Sequence, residues 1–351
     1  MLNCKMIMKT DILGFNLLAL ETALIDMGEK PFRGRQIAGW IYKHKSNDFL
    51  KMTNICAPLR DKLSKKFLIG KIQPLKTVND KSSTCKTLWE LADGESIESV
   101  LIPDKDRLTL CISTQVGCPL NCQFCATGRI GFRRNLAAGE IINQFLQTEL
   151  GESERITNVV FMGMGEPLLN FDNLLTALEV LIDDLCIGFG ARKITVSTAG
   201  IPPKIRSLAD SGLNVGLAFS LNAASDHLRD LLMPINRRFK LQDNLEALQY
   251  YHRKINRRIT FEYVLIKGIN DSLKDAADLA EITRGIPCKI NLIRYNPIDG
   301  SQFRPPDNKT VYAFRDFLYP RTPAVTLRES KGANIAAACG QLKAIYSKRE
   351  T

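Results

Sequence analysis

The sequence is poor in histidine and has no long hydrophobic segment. Its three histidines, His44, His227 and His252, lie in no motif, which argues against histidine-based metal binding or acid–base catalysis. The longest apolar runs, such as residues 17–20, are far too short to cross a bilayer. Residues 1–9 have neither the apolar stretch nor the small-residue cleavage site of a signal peptide. We therefore expect a cytoplasmic protein with no membrane partner.

Composition and cysteine usage are those of a globular protein in a reducing compartment. Hydrophobic residues make up 45% of the 351 residues and charged residues 24%, which is ordinary for folded domains. A chain of this length can form one large domain and a smaller one. The ten cysteines are unevenly spaced and follow no secretion signal, so we do not interpret them as a disulfide framework.

The chain carries a large positive charge. Its formal net charge is +11 at pH 7, which favours a polyanionic partner, because basic side chains bind phosphates and release counterions. A single basic pair more often lies on a solvated surface, so the prediction of a polyanionic partner rests on all the basic groups together. The basic groups are Arg33/Arg35, Lys62/Lys65/Lys66, Arg133/Arg134, Arg237/Arg238 and Arg253/Lys254/Arg257/Arg258.

Three cysteines, Cys118, Cys122 and Cys125, have the spacing C-x3-C-x2-C. Thiolates bind iron–sulfur clusters, and a cubane with three protein thiolates keeps one iron open to another ligand. The amino and carboxylate groups of S-adenosylmethionine (SAM) can chelate that iron. Zinc usually takes four protein ligands, and no second cysteine or histidine pair follows. The spacing, Phe124 and residues 126–128 resemble the radical-SAM superfamily, the alternative being three buried or zinc-bound cysteines.

The N-terminal part predicts two accessory elements. Apolar residues at helix spacing, with Gly28 ending one helix and Pro31 opening the next, predict a basic helical domain over residues 1–70. This domain could dock on RNA backbone or cap the larger domain. Strand patterns on either side of Asp93-Gly94 predict a β-hairpin in a connector over residues 71–105.

Residues 106–351 have the pattern of an α/β domain with a parallel sheet. Short apolar strands alternate there with amphipathic helices. The predicted strands are Leu108–Ser113, Asn158–Met162, Lys193–Ser197, Val215–Leu221, Ile259–Leu265 and Lys289–Ile293. The predicted helices are Ala138–Leu150, Phe171–Leu185, Pro203–Ser211, Leu241–Arg253 and Leu273–Thr283. Six units are too few for an eightfold barrel, so we predict a partial (β/α)6 barrel with its chemistry at the carboxyl ends of the strands.

Glycine and polar residues follow the predicted strands at that edge. In Gly163-Met-Gly165-Glu166-Pro167, glycines would let the backbone approach a ligand closely, and Glu166 could accept hydrogen bonds from an ammonium group. One βα unit after a cysteine triad, this segment resembles the motif that holds the methionyl amine of SAM. Four more residues could bond a ligand at the barrel mouth: Ser197, Ser220, Asn222 and Asn296.

Two further cysteines lie in apolar surroundings. Cys111 stands within the first predicted barrel strand, seven residues before Cys118, and Cys339 stands in an apolar run near the end of the chain. By residue type alone each is most simply a small core residue. The side chain of Cys111 could nevertheless reach the barrel interior near the cluster.

Four segments together resemble a particular family. They are residues 111–118, 161–170, 233–236 (Met-Pro-Ile-Asn) and 338–342 (Ala-Cys-Gly-Gln-Leu). They are similar to the radical-SAM RNA adenine-C2 methyltransferases known as RlmN, and the similarity extends from roughly residue 33 to 342. The resemblance implies the expected fold and an enzyme that methylates C2 of one adenosine in 23S ribosomal RNA and of another in certain transfer RNAs.

The resemblance also implies a mechanism in which Cys111 and Cys339 both react. Carbon C2 of adenine has no lone pair to attack a methyl sulfonium, so a radical route is needed. By analogy, one SAM methylates Cys339, and a second SAM at the cluster yields a 5′-deoxyadenosyl radical that takes a hydrogen from the methylcysteine. The resulting carbon radical adds to C2, Cys111 removes the C2 proton, and a Cys111–Cys339 disulfide releases the product.

The family's functional residues carry over to positions in this chain. The resemblance assigns a [4Fe–4S] cluster to Cys118, Cys122 and Cys125, and a proton-accepting role to Glu98. It assigns SAM binding to Gly165, Glu166, Ser197, Ser220, Leu221, Asn222 and Asn296. Many members of the family have histidine where Asn222 stands. We expect a monomer that receives electrons from a flavodoxin- or ferredoxin-type donor.

Two rival interpretations stay open. A sister group that methylates C8 of the same adenine and confers antibiotic resistance shares the cluster, both cysteines and the barrel. Glu166-Pro167 and residues 97–103 resemble the C2 enzymes more closely. The other rival is an RNA-binding protein with a purely structural cluster, which would need a fourth cluster ligand and no role for Cys111 or Cys339.

Overall fold

The computed structural model describes residues 9–148, 150–151 and 154–342. The described residues divide into two compact units, one of residues 9–73, 136–148 and 172–190 and the other of residues 74–135, 150–151, 154–171 and 191–342. Parts of the predicted N-terminal domain (1–8) and C-terminal segment (343–351) lie outside the described residues, as does residue 149 of the helix predicted to reach Leu150. The domain boundaries expected at residues 70 and 105 stay a prediction.

The helices and strands are numbered in chain order. The helices are α1 (Leu17–Ile25), α2 (Phe32–Ala38), α3 (Ala57–Lys66), α4 (Ala126–Arg129), α5 (Ala138–Leu146), α6 (Phe171–Ile182), α7 (Pro202–Asp210), α8 (Asp226–Leu232), α9 (Leu241–Ile255), α10 (Leu273–Ile282) and α11 (Asn308–Leu318). The strands are β1 (Thr10–Asp11), β2 (Phe67–Leu68), β3 (Gln73–Asn79), β4 (Cys85–Glu90), β5 (Ser96–Asp104), β6 (Arg107–Cys111), β7 (Gln115–Gly117), β8 (Phe132–Asn135), β9 (Asn158–Phe161), β10 (Ile194–Thr198), β11 (Gly216–Ser220), β12 (Ile259–Leu265), β13 (Cys288–Arg294) and β14 (Val325–Arg328).

The first unit is mainly helical. Asn16 begins α1 by accepting a hydrogen bond from the Ala19 N–H at 2.8 Å, as an N-cap residue does. Gly28 follows the end of α1 with φ +76°. Apolar side chains of α1 and α3 are fully buried, Leu20 and Leu63 among them, so hydrophobic packing holds the helices together. The expected N-terminal helical module is confirmed.

The second unit is built on one ten-stranded sheet in the order β14-β13-β12-β11-β10-β9-β6-β5-β4-β3. Strands β6 and β9–β14 pair in parallel, whereas β5 pairs antiparallel with both β4 and β6. The six expected barrel strands and the β4–β5 hairpin are confirmed. Strand β14 is a seventh parallel strand that the pattern did not predict, because it is only four residues long and half-exposed. Within the described residues, no helix is long and apolar enough to cross a membrane.

Aromatic packing fixes the middle strands of this sheet. The Phe219 and Phe261 rings, on β11 and β12, meet edge to face with centroids 5.9 Å apart, and both side chains are fully buried. Such edge-to-face contacts add to the area that is buried. The carboxyl ends of β11 and β12 therefore lie at a defined separation beneath the loops that follow them.

Arg229 in α8 connects the ends of two strands. It is fully buried, and its guanidinium donates to the carbonyl oxygens of Leu221 at 3.1 Å, of Ser220 at 3.1 Å and of Ala199. It also donates to Asn236 Oδ1 at 2.8 Å. Burial lowers the pKa of Arg229 to about 10, so the guanidinium is charged at neutral pH. One cation thus holds the backbone that follows β10 and β11.

We predict that Arg229→Met destabilises the protein by about 3 kcal/mol or more, because three carbonyl oxygens at the strand ends lose a charged donor. Binding of SAM should weaken as well, because the two loops lose their shared partner. Urea unfolding and equilibrium dialysis with SAM measure the two effects. Arg253→Met, at an exposed position of α9, is the control and should change neither. Unaltered stability of the Arg229 variant would contradict this role.

Candidate active site

A pocket lies at the carboxyl ends of the parallel strands. Ten of the predicted site residues line it: Cys118, Cys122, Cys125, Gly165, Glu166, Ser197, Ser220, Asn222, Asn296 and Cys339. The other three, Glu98, Cys111 and Leu221, are not among its lining residues. Residues from separate strand ends and from the C-terminal segment thus meet at the edge where the barrel pattern predicted the chemistry.

The cysteine loop owes its shape to backbone contacts. The Cys118 N–H donates to the Gly131 carbonyl at 2.9 Å. Gly117 has φ +75°, and a Cβ there would lie 1.8 Å from that same oxygen. The Cys125 N–H donates to the Cys122 carbonyl at 3.1 Å, and α4 begins directly after Cys125. A larger residue at position 117 would push the two loop backbones apart.

The three thiols of this loop lie close enough together to influence one another. Burial raises the pKa of Cys118 to about 12 and also raises that of Cys122, and a thiolate at Cys125 raises both pKa values further. Burial likewise raises the pKa of Cys125. Three buried thiols are costly to ionise together, whereas a bound metal centre stabilises the thiolates.

The donor set fits an iron–sulfur cluster better than one metal ion. Among the described residues, no group of three His, Cys, Asp or Glu side chains is close enough together to hold a single ion. A cubane is larger, so thiolates bound to three of its irons lie further apart than the ligands of one zinc ion. Cys118, Cys122 and Cys125 would hold such a cluster, with the rest of the pocket beside it.

The glycine segment after β9 is packed tightly against β7. Gly165 has φ +101°, and a Cβ there would lie 2.6 Å from Cβ of Gln115. The amide of the next residue, Glu166, donates to Gln115 Oε1 at 2.9 Å. This position needs glycine both for its backbone conformation and for the close approach. Gln115, which the sequence analysis did not identify, fixes the turn that presents Glu166.

Glu166 is a buried carboxyl group that lines the pocket. It accepts hydrogen bonds from the Leu168 N–H at 3.0 Å and the Ala199 N–H at 2.7 Å. Burial raises its pKa to about 7 although these bonds act in the opposite direction. An ammonium group in the pocket would favour the carboxylate form and lower that pKa.

Asn222 has a structural part in the loop after β11. Its φ is +57°, its Oδ1 accepts from the Val264 N–H at 2.9 Å, and its carbonyl accepts from Asn270 Nδ2 at 2.7 Å. Its amide nitrogen lies 3.3 Å from the Met233 sulfur. The side chain therefore ties the ends of β11 and β12 together while it also faces the pocket.

Hydrogen bonds from α4 and from the loop after β13 hold the C-terminal segment beside the cysteine loop. The Ala126 N–H donates to the Gly340 carbonyl at 2.7 Å, and the Thr127 hydroxyl donates to the Leu342 carbonyl at 2.6 Å. Asn296 Nδ2 donates to the Cys339 carbonyl at 3.2 Å. The exposed Cys339 thiol is thereby kept at the pocket in which the three loop cysteines lie.

Cys111 and Cys339 are electrostatic neighbours. Burial raises the pKa of Cys111 to about 12, and the Cys339 thiol raises it further. The Met162 N–H and the Arg328 guanidinium act in the opposite direction. Arg328, at the end of β14, lines the pocket and has a raised pKa for which Cys339 is the largest cause. One cation thus lies near both thiols.

Glu98 has a different environment. It lies on β5, is buried, and forms an ion pair with Lys86 Nζ at 2.8 Å. Its proton-accepting role stays a prediction. Four residues at or behind the pocket were missed by the sequence analysis: Gln115, Arg229, Glu262 and Arg328. Glu262 could have been noticed, because it is an acidic residue inside an otherwise apolar predicted strand.

Comparisons with known proteins agree with this site. The model of the Radical SAM superfamily matches residues 112–280, and that of the ribosomal RNA large subunit methyltransferase N-terminal domain matches residues 10–69. The crystal structure of a radical SAM methyltransferase from Sphaerobacter thermophilus is similar with a TM-score of 0.90 and 39% identity, over 96% of this chain and 100% of that one. Fold and site together define a radical-SAM methyltransferase.

Curated relatives identify the family. The dual-specificity RNA methyltransferase RlmN of Desulfosudis oleivorans is 45% identical over 91% of this chain and 86% of its own length. That of Pelobacter propionicus is 44% identical over 95% of this chain and 96% of its own. The chain belongs to the RlmN family. Membership implies SAM and a [4Fe–4S] cluster as cofactors, and the three thiols and the pocket fit both.

We predict that Gly165→Ala lowers the affinity for SAM at least tenfold, because its Cβ would collide with Gln115 and move Glu166 away from the pocket. Equilibrium dialysis with the reconstituted protein measures the affinity. Gly268→Ala is the matched control, since Gly268 also has positive φ but has no atom within 4 Å of the added Cβ. Equal affinity in the two variants would show that the contact with Gln115 does not matter.

Proposed function

We propose that this chain methylates C2 of a specific adenosine in 23S ribosomal RNA and in certain transfer RNAs. The names of its relatives and of the N-terminal family support RNA as the substrate. The observation that carries the proposal is the meeting of Cys339 with the three loop cysteines at one pocket, beside a second thiol, Cys111. A structural cluster would need neither of the two additional thiols.

The cofactor-binding roles follow from the pocket. Cys118, Cys122 and Cys125 would hold the cluster, and Glu166 would accept the ammonium group of SAM. The pocket-facing polar residues at the other strand ends, Ser197, Ser220, Asn222 and Asn296, would bind the rest of SAM, with Leu221 between two of them. When bound, these cofactors supply the methyl group and the means to activate a carbon that no nucleophile can methylate directly. We propose that two SAM molecules are used for each product.

Cys339 is the residue best placed to carry the methyl group. Its thiol is exposed, so it can act as a nucleophile toward a methyl sulfonium. The hydrogen bonds of Ala126, Thr127 and Asn296 hold its segment at the pocket. The methylated sulfur would therefore stay next to the place where the target base must enter.

Cys111 is suited to the later proton transfer and release. Its side chain is buried and is an electrostatic neighbour of Cys339, and Arg328 is the nearby cation that favours its thiolate form. After it has taken the C2 proton, Cys111 would lose that proton to solvent and attack the sulfur of Cys339. The bond between that sulfur and the transferred carbon would break, and the carbon would keep the electron pair and take up a proton to become the methyl group. An external reductant would return the Cys111–Cys339 disulfide to two thiols. Cys111 and Cys339 are both free of disulfides, as this cycle requires at its start.

The RNA is held by charge and read by its exposed base. The net charge of +11 favours backbone binding, and a base must leave its stack before C2 can reach the pocket. We further propose that the protein acts as a monomer in the cytoplasm, where a flavodoxin- or ferredoxin-type protein supplies electrons. Glu98 is kept as a candidate proton acceptor.

Nucleoside mass spectrometry tests the reaction. Reconstituted protein, SAM and a reductant should convert adenosine in 23S ribosomal RNA to 2-methyladenosine under anaerobic conditions. Cys339→Ala should abolish the product, because no thiol is left to carry the methyl group. Cys56→Ala removes an exposed thiol that does not line the pocket and should retain activity.

Other outcomes of this experiment would contradict the proposal. Formation of 8-methyladenosine would place the chain in the C8 group with the same cysteine chemistry. Product from Cys339→Ala would remove the methyl-carrying role from this residue. Absence of any methylated adenosine, from protein with an intact cluster, would overturn the proposed reaction.

A further inference from the structure

Glu262 lies in the middle of β12, is 6% exposed and lines the pocket. One carboxylate oxygen, Oε1, accepts a hydrogen bond from Asn291 Nδ2 at 2.9 Å. The other, Oε2, has no hydrogen-bond partner among the described residues. A buried carboxylate oxygen without a donor costs free energy. A ligand N–H or O–H in the pocket would satisfy it.

Neighbouring strands hold Glu262 in this orientation. Glu262 on β12, Asn291 on β13 and Thr326 on β14 stand side by side in the parallel register. The Thr326 hydroxyl donates to Asn291 Oδ1 at 3.1 Å, which leaves the amide nitrogen to face Glu262. The arrangement occupies one oxygen of the carboxylate and leaves the other to the pocket.

Arg328 connects this carboxylate to the reactive cysteines. It stands two residues beyond Thr326 on β14, and its guanidinium interacts electrostatically with Glu262, Cys339 and Cys111. Burial raises the pKa of Glu262, and Arg328 is the largest opposing influence. The acceptor at Glu262 and the donor at Arg328 are therefore neighbours in the pocket, and the guanidinium also lies near both thiols.

We propose that Glu262 Oε2 accepts a hydrogen bond from the 6-amino group of the target adenine, with Arg328 as donor to the adjacent ring nitrogen N1. The inference depends on the proposed function. Along this edge of adenine, a donor, an acceptor and C2 follow one another. The pocket offers the matching groups in the same order: an acceptor at Glu262, a donor at Arg328 and the methyl-carrying sulfur at Cys339. Guanine has an oxygen at the 6-position, which the carboxylate would repel.

The test compares RNA fragments with adenosine or purine riboside at the target position, since purine riboside lacks the 6-amino group. Wild-type protein should prefer adenosine by about 10- to 100-fold in kcat/KM and in RNA affinity, as expected for a specific base contact. Glu262→Leu should reduce this preference to about twofold or less. Glu262→Gln keeps an acceptor and should retain an intermediate preference. Glu246→Gln, which alters an exposed carboxylate on α9, should behave like wild type.

The adenosyl group of SAM offers the same donors, so SAM affinity is measured in parallel by equilibrium dialysis. Weaker SAM binding in Glu262→Leu with an unaltered RNA preference would assign the carboxylate to SAM and overturn the inference. If wild-type protein has equal kcat/KM and equal affinity for the two RNAs, the inference is overturned without any variant. If no RNA is methylated, the proposed function fails, while the ratio of RNA affinities still decides the role of Glu262.

Discussion

The shared edge of the parallel strands is the constraint on which the site depends. Most residues that line the pocket lie on β9–β14, on the loops that follow these strands, on the cysteine loop after β7, or on the C-terminal segment. Strands in parallel end at the same side of a sheet, so residues far apart in sequence meet there. Arg229 holds the backbone after β10 and β11 by donating to three carbonyl oxygens. Loss of this cation would loosen several binding residues at once.

The pocket accumulates buried groups that are costly without a ligand. Burial raises the pKa of the loop thiols and of Glu166, and one oxygen of Glu262 lacks a partner among the described residues. Cationic ligands and metal centres offset such costs. The same side chains that are costly to bury in the pocket therefore favour binding of a cluster and SAM. This explains why binding and stability should be strongly linked in this protein.

The sequence predicted the parts of the site that are encoded locally. The cysteine motif and the Gly163–Pro167 motif are each a short continuous segment. The strand pattern predicted that both lie at the carboxyl edge of the sheet. Convergence across the sheet could not be predicted in the same way. Arg328 reaches the pocket because four residues of β14 pair with β13, and so short a strand has no clear alternation. The contact of Arg229 with strand ends likewise depends on how α8 packs, which periodicity does not determine.

The proposed function depends on a cluster held by three protein thiolates that would leave one iron open to SAM. Electron paramagnetic resonance of the reduced, reconstituted protein is the decisive measurement. SAM should change the g values of the cluster signal, because its amino and carboxylate groups would become ligands of that iron. A spectrum that stays the same at saturating SAM would contradict this arrangement and indicate a structural cluster.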